Sequence, residues 1–252
     1  MQAALMPTVC DLAALRLIYE DEALVAIHKP AGLLVHRSPI DRQETQFALQ
    51  LTRDLIGTKV YPVHRLDKAT SGLLLFAKSS AMASQLQPQF AQHRMQKMYW
   101  ALVRGWMPPG GSIDQALVYK CDAHGDPRRR QSDAPQPART DWLRLATTTL
   151  DEPLGRYPQQ RYSLVQLTPL TGRKHQLRRH LNRLSHPIIG DVNYGDRHHN
   201  RLLAQWLGYH RLYLAARQLR FEHPLTRELF TLKAPLQDDF VHALQRLNLG
   251  HC

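Results

Sequence analysis

A short apolar run, residues 73–77 (LLLFA), constrains the fold more than any other segment of the chain. Five consecutive apolar residues directly after Gly72 are typical of a strand that is buried on both faces. The polar segment HRLDKATSG, residues 64–72, leads into this run. It is therefore predicted to be a loop that brings one carboxylate, Asp67, to the edge of a buried strand.

The same loop has a purely structural interpretation. Asp, Thr and Ser side chains cap turns by accepting hydrogen bonds from nearby backbone N–H groups, and Gly72 can supply a positive φ. Turn chemistry of this kind is common, so on composition alone the structural interpretation is favoured. A chemical role for Asp67 has to be supported by other parts of the chain.

The charge of the chain favours a polyanionic partner. Its 252 residues include 33 lysines and arginines against 21 acidic residues, which gives a net charge of +12. A globular protein this basic is a candidate for nucleic-acid binding, although charge alone also fits a basic protein without such a partner. No apolar run approaches the ~20 residues that a membrane span needs. Residues 1–14 are expected to be a flexible extension and lack the pattern of a secretory signal.

The cysteine and histidine patterns predict no metal site. Cys10, Cys121 and Cys252 lie far apart, which fits a reducing cytoplasm and argues against a disulfide framework or a zinc site. The fourteen histidines show no His-x-x-x-His or His-Glu-x-x-His spacing. The chain has no glycine-rich phosphate loop, so no nucleotide cofactor is expected.

Apolar periodicity predicts strands and helices along the whole chain. The predicted strands are residues 15–19, 23–28, 73–77, 97–106, 142–146, 162–167, 212–221 and 229–233. The predicted helices are residues 47–56, a helix capped by Ser79 or Ser80 that includes Phe90, a short helix at 202–207, and residues 238–247. Pro88 is expected to kink or shorten the second helix. Strand 97–106 is expected to pack one face against the core, and residues 121–139 are expected to form a solvated loop.

A second informative segment, TPLTGRKHQLRRHL, covers residues 168–181. Thr171 is predicted to cap a helix that places Leu177, Leu181 and Leu184 on one stripe against the core. Arg178 would lie at the rim of that stripe, where an arginine can point into a cleft. Five cationic side chains between residues 173 and 183 make this helix strongly basic.

These segments resemble the RluA-type pseudouridine synthases. The resemblance lies in KPAG at residues 29–32, HRLDKATSG at 64–72, KMY at 97–99, GRKHQLRRHL at 172–181 and HPIIGD at 186–191. It covers nearly the whole chain from about Leu15, and it is closest to the members that isomerise the uridine at tRNA position 65, in the T stem. One departure is Leu214-Ala215-Ala216, where relatives usually carry Leu-His-Ala.

The resemblance implies an α+β catalytic domain at residues 15–252, without the S4 RNA-binding domain that is frequent in the family. It implies a central mixed, mainly antiparallel sheet, flanked by helices and loops, with a basic active-site cleft. The implied enzyme is an isomerase that flips a uridine out of tRNA and needs no cofactor or metal. It is expected to act as a monomer in the cytoplasm. The same enzyme class acting on ribosomal RNA, and a non-catalytic RNA-binding or folding protein, are the alternatives.

The resemblance also assigns roles to individual residues. Asp67 corresponds to the catalytic carboxylate, which acts either as a nucleophile or as a base that removes the 2′ proton. Arg65 corresponds to the arginine that fills the gap left by the flipped base, and Tyr99 to the aromatic residue that stacks on the uracil. Tyr99 also fits an ordinary core tyrosine on an alternating strand.

Two arginines compete for one further role. Arg178 corresponds to the arginine that pairs with the catalytic aspartate, and Arg173 is its rival for that contact. Lys29 is expected to be structural or to contact a phosphate group, and no catalytic role is assigned to it.

Overall fold

The buried strand predicted after Gly72 lies inside the sheet. The computed structural model describes residues 15–37, 43–118 and 134–250. Strand β4 (Ser71–Ala77) has all seven residues buried. It pairs antiparallel with β2 (Leu24–Lys29), which is also buried throughout, and parallel with β9 (Leu214–Glu222). The prediction of a strand covered on both faces is confirmed.

Ten strands and five helices form the described part of the chain. The other strands are β1 (Arg16–Glu20), β3 (Tyr61–Pro62), β5 (Gln96–Arg104), β6 (Gly110–Asp114), β7 (Arg139–Leu150), β8 (Gln160–Pro169) and β10 (Leu229–Lys233). The helices are α1 (Ala48–Ile56), α2 (Ser80–Ala91), α3 (Gln176–Arg183), α4 (Arg197–Leu207) and α5 (Asp238–Arg246).

One sheet contains all of these strands. Its order is β1-β2-β4-β9-β5-β8-β7-β6, with β3 paired to β4 and β10 paired to β9. Among the strand pairs of the described residues, β4–β9 is parallel and the others are antiparallel. The predicted α+β fold with a mixed, mainly antiparallel sheet is therefore confirmed.

The close approach of β4 and β9 requires Gly72. Its φ is +103°, and a Cβ atom at this position would lie 2.1 Å from the carbonyl oxygen of Ala216. Any other residue would both strain its own backbone and collide with the neighbouring strand. Gly72 thus allows the loop that carries Asp67 to continue directly into β4, next to β9.

Three apolar clusters hold the helices to the sheet. Leu86 of α2 packs in a cluster with β2 and β4. Leu203 of α4 and Phe240 of α5 pack in a second cluster, and Leu177 and Leu181 of α3 pack in a third. Helix α3 is therefore fixed against the core by the leucine stripe that its sequence predicts.

Strand β5 is covered on both faces, so the prediction of one core face is wrong. Ala101 and Val103 pack in the cluster with α3, whereas Leu102, on the opposite face, packs in the cluster with α4 and α5. The sequence suggested that the second face is exposed, because this face carries the charged residue Arg104. Its guanidinium instead forms a 2.6 Å ion pair with Asp196, the residue that caps α4.

Helix α2 includes Phe90 as predicted, whereas helix α4 is longer than predicted. Helix α2 begins after Ser79, whose hydroxyl accepts a hydrogen bond from the Met82 N–H as predicted, and Pro88 does not shorten it, because the helix continues to Ala91. A proline removes one backbone hydrogen bond, and the next turn is still closed by the Pro88 carbonyl. Helix α4 is longer than the predicted short helix because Asp196 accepts hydrogen bonds from the first N–H groups. The predictions for residues 1–14, for the cysteines and for residues 119–133 lie outside the described residues.

Candidate active site

Asp67 lies in a loop that is fixed by backbone hydrogen bonds and by the Lys29 side chain. The Thr70 N–H donates to the Asp67 carbonyl at 3.0 Å, and the Gly32 N–H donates to the Lys68 carbonyl at 2.9 Å. The fully buried Lys29 ammonium donates to three carbonyls, those of Pro30, Leu33 and Lys68, at 2.7 to 3.0 Å. Lys29 therefore has the structural role that was one of its two predicted roles.

His64 also supports this loop. Its Nε2 accepts a hydrogen bond from the Leu75 N–H at 3.0 Å, and its ring stacks on Phe90 at 4.9 Å. Burial, and then the charge of Lys97, lowers the pKa of His64 to about 3. The imidazole is therefore neutral at physiological pH, as its acceptor role requires.

Arg178 is brought to Asp67 and is held there by a second carboxylate. Its Nη1 donates to Asp67 Oδ2 at 3.2 Å. On its other side, Nε and Nη2 donate to the two oxygens of Asp191 at 2.7 and 2.8 Å. Arg178 is 5% exposed and Asp191 is 2% exposed, whereas the Asp67 side chain is 27% exposed. Asp191 thus fixes one side of the Arg178 guanidinium. The Nη1 group of Arg178 donates to Asp67, a carboxylate that solvent can reach.

Asp191 is ionised in this pair. Burial alone would raise the pKa of Asp191, but the hydrogen bonds and charge of Arg178 outweigh it. The N–H groups of Tyr194 and Asn193 also donate to the carboxylate and help to lower the pKa. The sequence contains Asp191 within the HPIIGD segment, but nothing in its spacing assigned it to Arg178.

His175 lies beside the same carboxylate, and Tyr194 contacts both His175 and Arg178. His175 Nε2 lies 3.7 Å from Asp67 Oδ2, and its Nδ1 lies 3.1 Å from the Tyr194 hydroxyl. The Tyr194 ring packs on the Arg178 guanidinium at 5.2 Å. His175 has a φ of +54° and precedes the first residue of α3. Neither side chain was predicted to be part of the site, although His175 lies in the segment that suggested a basic helix.

Helix α3 does not begin as predicted. His175 is its N-cap residue, and Thr171 does not cap it. The Thr171 hydroxyl instead donates to the Gln176 side chain at 2.7 Å and accepts from the Arg139 N–H at 3.0 Å. The helix therefore starts later, with Arg178 in its first turn beside Asp67.

The other predicted residues occupy different positions. Tyr99 lies on β5, where burial, and then the charge of Asp67, raises the pKa of its phenol. Arg65 is exposed two residues before Asp67. Arg173 donates its Nε to the Pro137 carbonyl at 3.0 Å. The structure therefore brings Arg178, and not Arg173, into contact with Asp67.

The described residues contain neither a candidate metal cluster nor a membrane-spanning helix. Residues 15–37, 43–118 and 134–250 contain no group of three or more His, Cys, Asp or Glu side chains that could hold a metal ion. No helix in this part of the chain is long and apolar enough to cross a membrane.

Comparison with known proteins shows the family. Residues 23–183 match the family described as RNA pseudouridylate synthase. A protein of Vibrio parahaemolyticus called tRNA pseudouridine synthase C is 47% identical over 92% of this chain and 94% of its own length. A protein of the same name from Yersinia pestis is 50% identical over 87% of this chain and 86% of its own length.

Solved structures agree with this comparison. Human RNA Pseudouridylate Synthase Domain Containing 4 has a TM-score of 0.67 and 31% identity, covering 92% of this chain and 93% of the other. Human RNA Pseudouridylate Synthase Domain Containing 1 has a TM-score of 0.66 and 25% identity, covering 93% and 94%. The chain belongs to the RNA pseudouridylate synthase family, and the predicted family and enzyme class, an isomerase, are confirmed.

Proposed function

We propose that this protein is a tRNA pseudouridine synthase that isomerises the uridine at position 65, with Asp67 as the catalytic carboxylate. Relatives that are 47% and 50% identical are named tRNA pseudouridine synthase C. The observation that carries the proposal is the position of Asp67, which is partly exposed and is held by Arg178 at 3.2 Å. The proposed catalytic unit is the single domain from residue 15 onward, acting as a monomer in the cytoplasm.

The reaction needs few groups because it exchanges one bond for another. The N1–C1′ bond of uridine breaks, the uracil turns, and a C5–C1′ bond forms. C5 loses its hydrogen to solvent and N1 gains one, so no oxidant, reductant or phosphate donor takes part. A carboxylate beside the ribose can act as a nucleophile or as a base for the 2′ proton, and both routes are consistent with the geometry.

Arg178 leaves one oxygen of Asp67 available for this chemistry. Oδ2 accepts the hydrogen bond from Arg178. Within the three described segments, no protein group donates to Oδ1. Arg178 itself cannot turn away, because Asp191 holds it through two further hydrogen bonds. The carboxylate is thus oriented before the substrate arrives, which lowers the reorganisation that the reaction requires.

The target base has to leave its stack before Asp67 can reach the ribose. Flipping a nucleotide costs a few kcal/mol, which contacts with the displaced base and its phosphates must offset. In this proposal the exposed Arg65 fills the gap in the RNA. Tyr99, which is partly buried against two of the apolar clusters, stacks on the flipped uracil.

Tritium release tests the activity. Wild-type protein should release tritium from unmodified tRNA that carries 5-tritiated uridine, because C5 loses its hydrogen only when the base is re-attached through carbon. Asp67→Asn should abolish release while leaving the dissociation constant for tRNA roughly unchanged. Asp54→Asn, an exposed change in α1, serves as the control. Turnover by Asp67→Asn would refute the role of Asp67.

The alternatives have distinct outcomes in the same assay. Release from ribosomal RNA fragments but not from tRNA would assign the enzyme to ribosomal RNA. Binding of both RNAs without release from either would favour an RNA-binding protein without catalytic activity. Binding should also weaken steeply with salt, because phosphate contacts release counterions.

A further inference from the structure

Tyr194 contacts two side chains that approach the proposed catalytic carboxylate. Its hydroxyl lies 3.1 Å from His175 Nδ1, and its ring packs on the Arg178 guanidinium at 5.2 Å. His175 Nε2 and Arg178 Nη1 in turn lie 3.7 and 3.2 Å from the same oxygen, Oδ2 of Asp67. Tyr194 is therefore one side chain away from Asp67 along both contacts.

The backbone of Tyr194 is held by neighbours of the same site. Its N–H donates to Asp191 Oδ1 at 3.0 Å, and Asp191 is the buried carboxylate that also binds Arg178. Its carbonyl accepts a 2.6 Å hydrogen bond from the Asn182 side chain. Because both backbone groups are bonded, the position of the Tyr194 ring relative to Arg178 is set before any substrate binds.

His175 has a backbone conformation that is uncommon for a residue with a side chain. Its φ of +54° and ψ of 27° lie in the left-handed region. Residues other than glycine in this region are strained and cluster at functional sites. Here the conformation belongs to an imidazole that lies between Tyr194 and Asp67, with its side chain 15% exposed.

The two neighbours of the imidazole determine how its nitrogens are used. A neutral histidine has one N–H donor and one acceptor nitrogen. Because Nε2 faces the Asp67 carboxylate, the proton is favoured on Nε2, and Nδ1 then accepts a hydrogen bond from the Tyr194 hydroxyl. At 3.7 Å the contact with Asp67 is electrostatic and longer than a hydrogen bond. The 3.1 Å bond to Tyr194 is the closer of the two contacts and orients the ring.

We propose that Tyr194 is a positioning residue for the isomerisation and that it acts through His175. Its hydroxyl bonds to Nδ1 and so directs the Nε2–H at Asp67, where this N–H and the Arg178 guanidinium together hold Oδ2. Oδ1 then keeps one orientation towards the ribose, which increases the fraction of bound substrate that can react. The inference rests on the proposed function, since it takes Asp67 to be the reacting carboxylate.

Tyr194→Phe tests the proposal, because it removes the hydroxyl and keeps the ring that packs on Arg178. The single-turnover rate of tritium release from tRNA should fall about 3- to 10-fold, as expected for one lost hydrogen bond, while the dissociation constant for tRNA stays within about two-fold of wild type. Tyr209→Phe is the matched control, because the Tyr209 hydroxyl also lies 3.0 Å from a histidine, at Nδ1 of His242 on α5. The two variants should have similar Tm values, but Tyr209→Phe should react at the wild-type rate.

A double-mutant cycle separates this role from a general effect on the fold. His175→Leu removes both ring nitrogens and should lower the rate at least as much as Tyr194→Phe, and adding Tyr194→Phe to it should lower the rate no further. A second fall of the same size in the double variant would overturn the proposal, because the hydroxyl would then act without the imidazole.

The failure of this inference differs from the failure of the proposed function. A wild-type rate for Tyr194→Phe or for His175→Leu, beside an active wild-type protein, would overturn only the role of Tyr194. Turnover by Asp67→Asn, or no release by wild-type protein from any RNA, would instead refute the proposed function.

Discussion

Asp191→Asn should destabilise the protein because it leaves the buried Arg178 with one carboxylate instead of two. Arg178 and Asp191 are 5% and 2% exposed and share two hydrogen bonds. Breaking a buried pair costs about 3–5 kcal/mol, and the lower value applies here because Asp67 still contacts the arginine. For a chain of this length, about 3 kcal/mol corresponds to a Tm lower by roughly 6–12 °C. Differential scanning calorimetry at pH 7 measures this shift.

The same change has a defined pH dependence. The pKa of Asp191 is lowered in the folded state, so its contribution to stability is present above the unfolded value of about 3.9 and is lost as pH falls further. The difference between wild type and Asp191→Asn should therefore be constant from pH 7 to pH 5 and should shrink below about pH 4. Asp54→Asn, in an exposed pair, should lower Tm by less than about 3 °C. Equal Tm values for the two variants at pH 7 would refute the reasoning.

Two other predictions concern stability. Gly72→Ala should lower Tm by several degrees or prevent folding, because the added Cβ would lie 2.1 Å from the Ala216 carbonyl oxygen. A Tm within about 1–2 °C of wild type would contradict this prediction and show that β4 and β9 can separate at little cost in free energy. Burial, followed by the charges of three nearby cations, lowers the pKa of His28 to about 4. Between pH 6.5 and 4 the unfolded state binds the proton and the folded state does not, so stability should fall by about 3 kcal/mol as pH drops through this window. Chemical denaturation at several pH values should show a shallower dependence for His28→Gln than for wild type, whereas the exposed change His198→Gln should match wild type.

The strand, the loop and the helix that position the site could be predicted from the sequence, because the pattern of each lies within one short segment. The apolar run after Gly72 is typical of a strand that is covered on both faces, and the loop before it carries Asp67. The leucine stripe of α3 likewise fixed which face of the helix meets the core. Both predictions depend on the spacing of adjacent residues, which the structure confirms for β4 and for Leu177 and Leu181.

The contacts around Asp67 could not be predicted because they depend on where separate segments meet. Arg178 and Asp191 lie thirteen residues apart and are separated by the end of α3. Thr171 has the chemistry of a helix cap, but a neighbouring backbone N–H and the Gln176 side chain compete for its hydroxyl. The sequence also cannot show which of the five cations in residues 173–183 are paired, because only the fold decides this.

A single-turnover assay can test the proposal that this protein isomerises the uridine at tRNA position 65 with Asp67 as the catalytic carboxylate. An excess of enzyme would be mixed with two 5-tritiated tRNA transcripts that differ only in a uridine or a cytidine at position 65. Wild-type protein should release one equivalent of tritium from the first transcript and none from the second, and Asp67→Asn should release none from either. Equal release from both transcripts would contradict the assignment of position 65, and release by Asp67→Asn would contradict the role of the carboxylate.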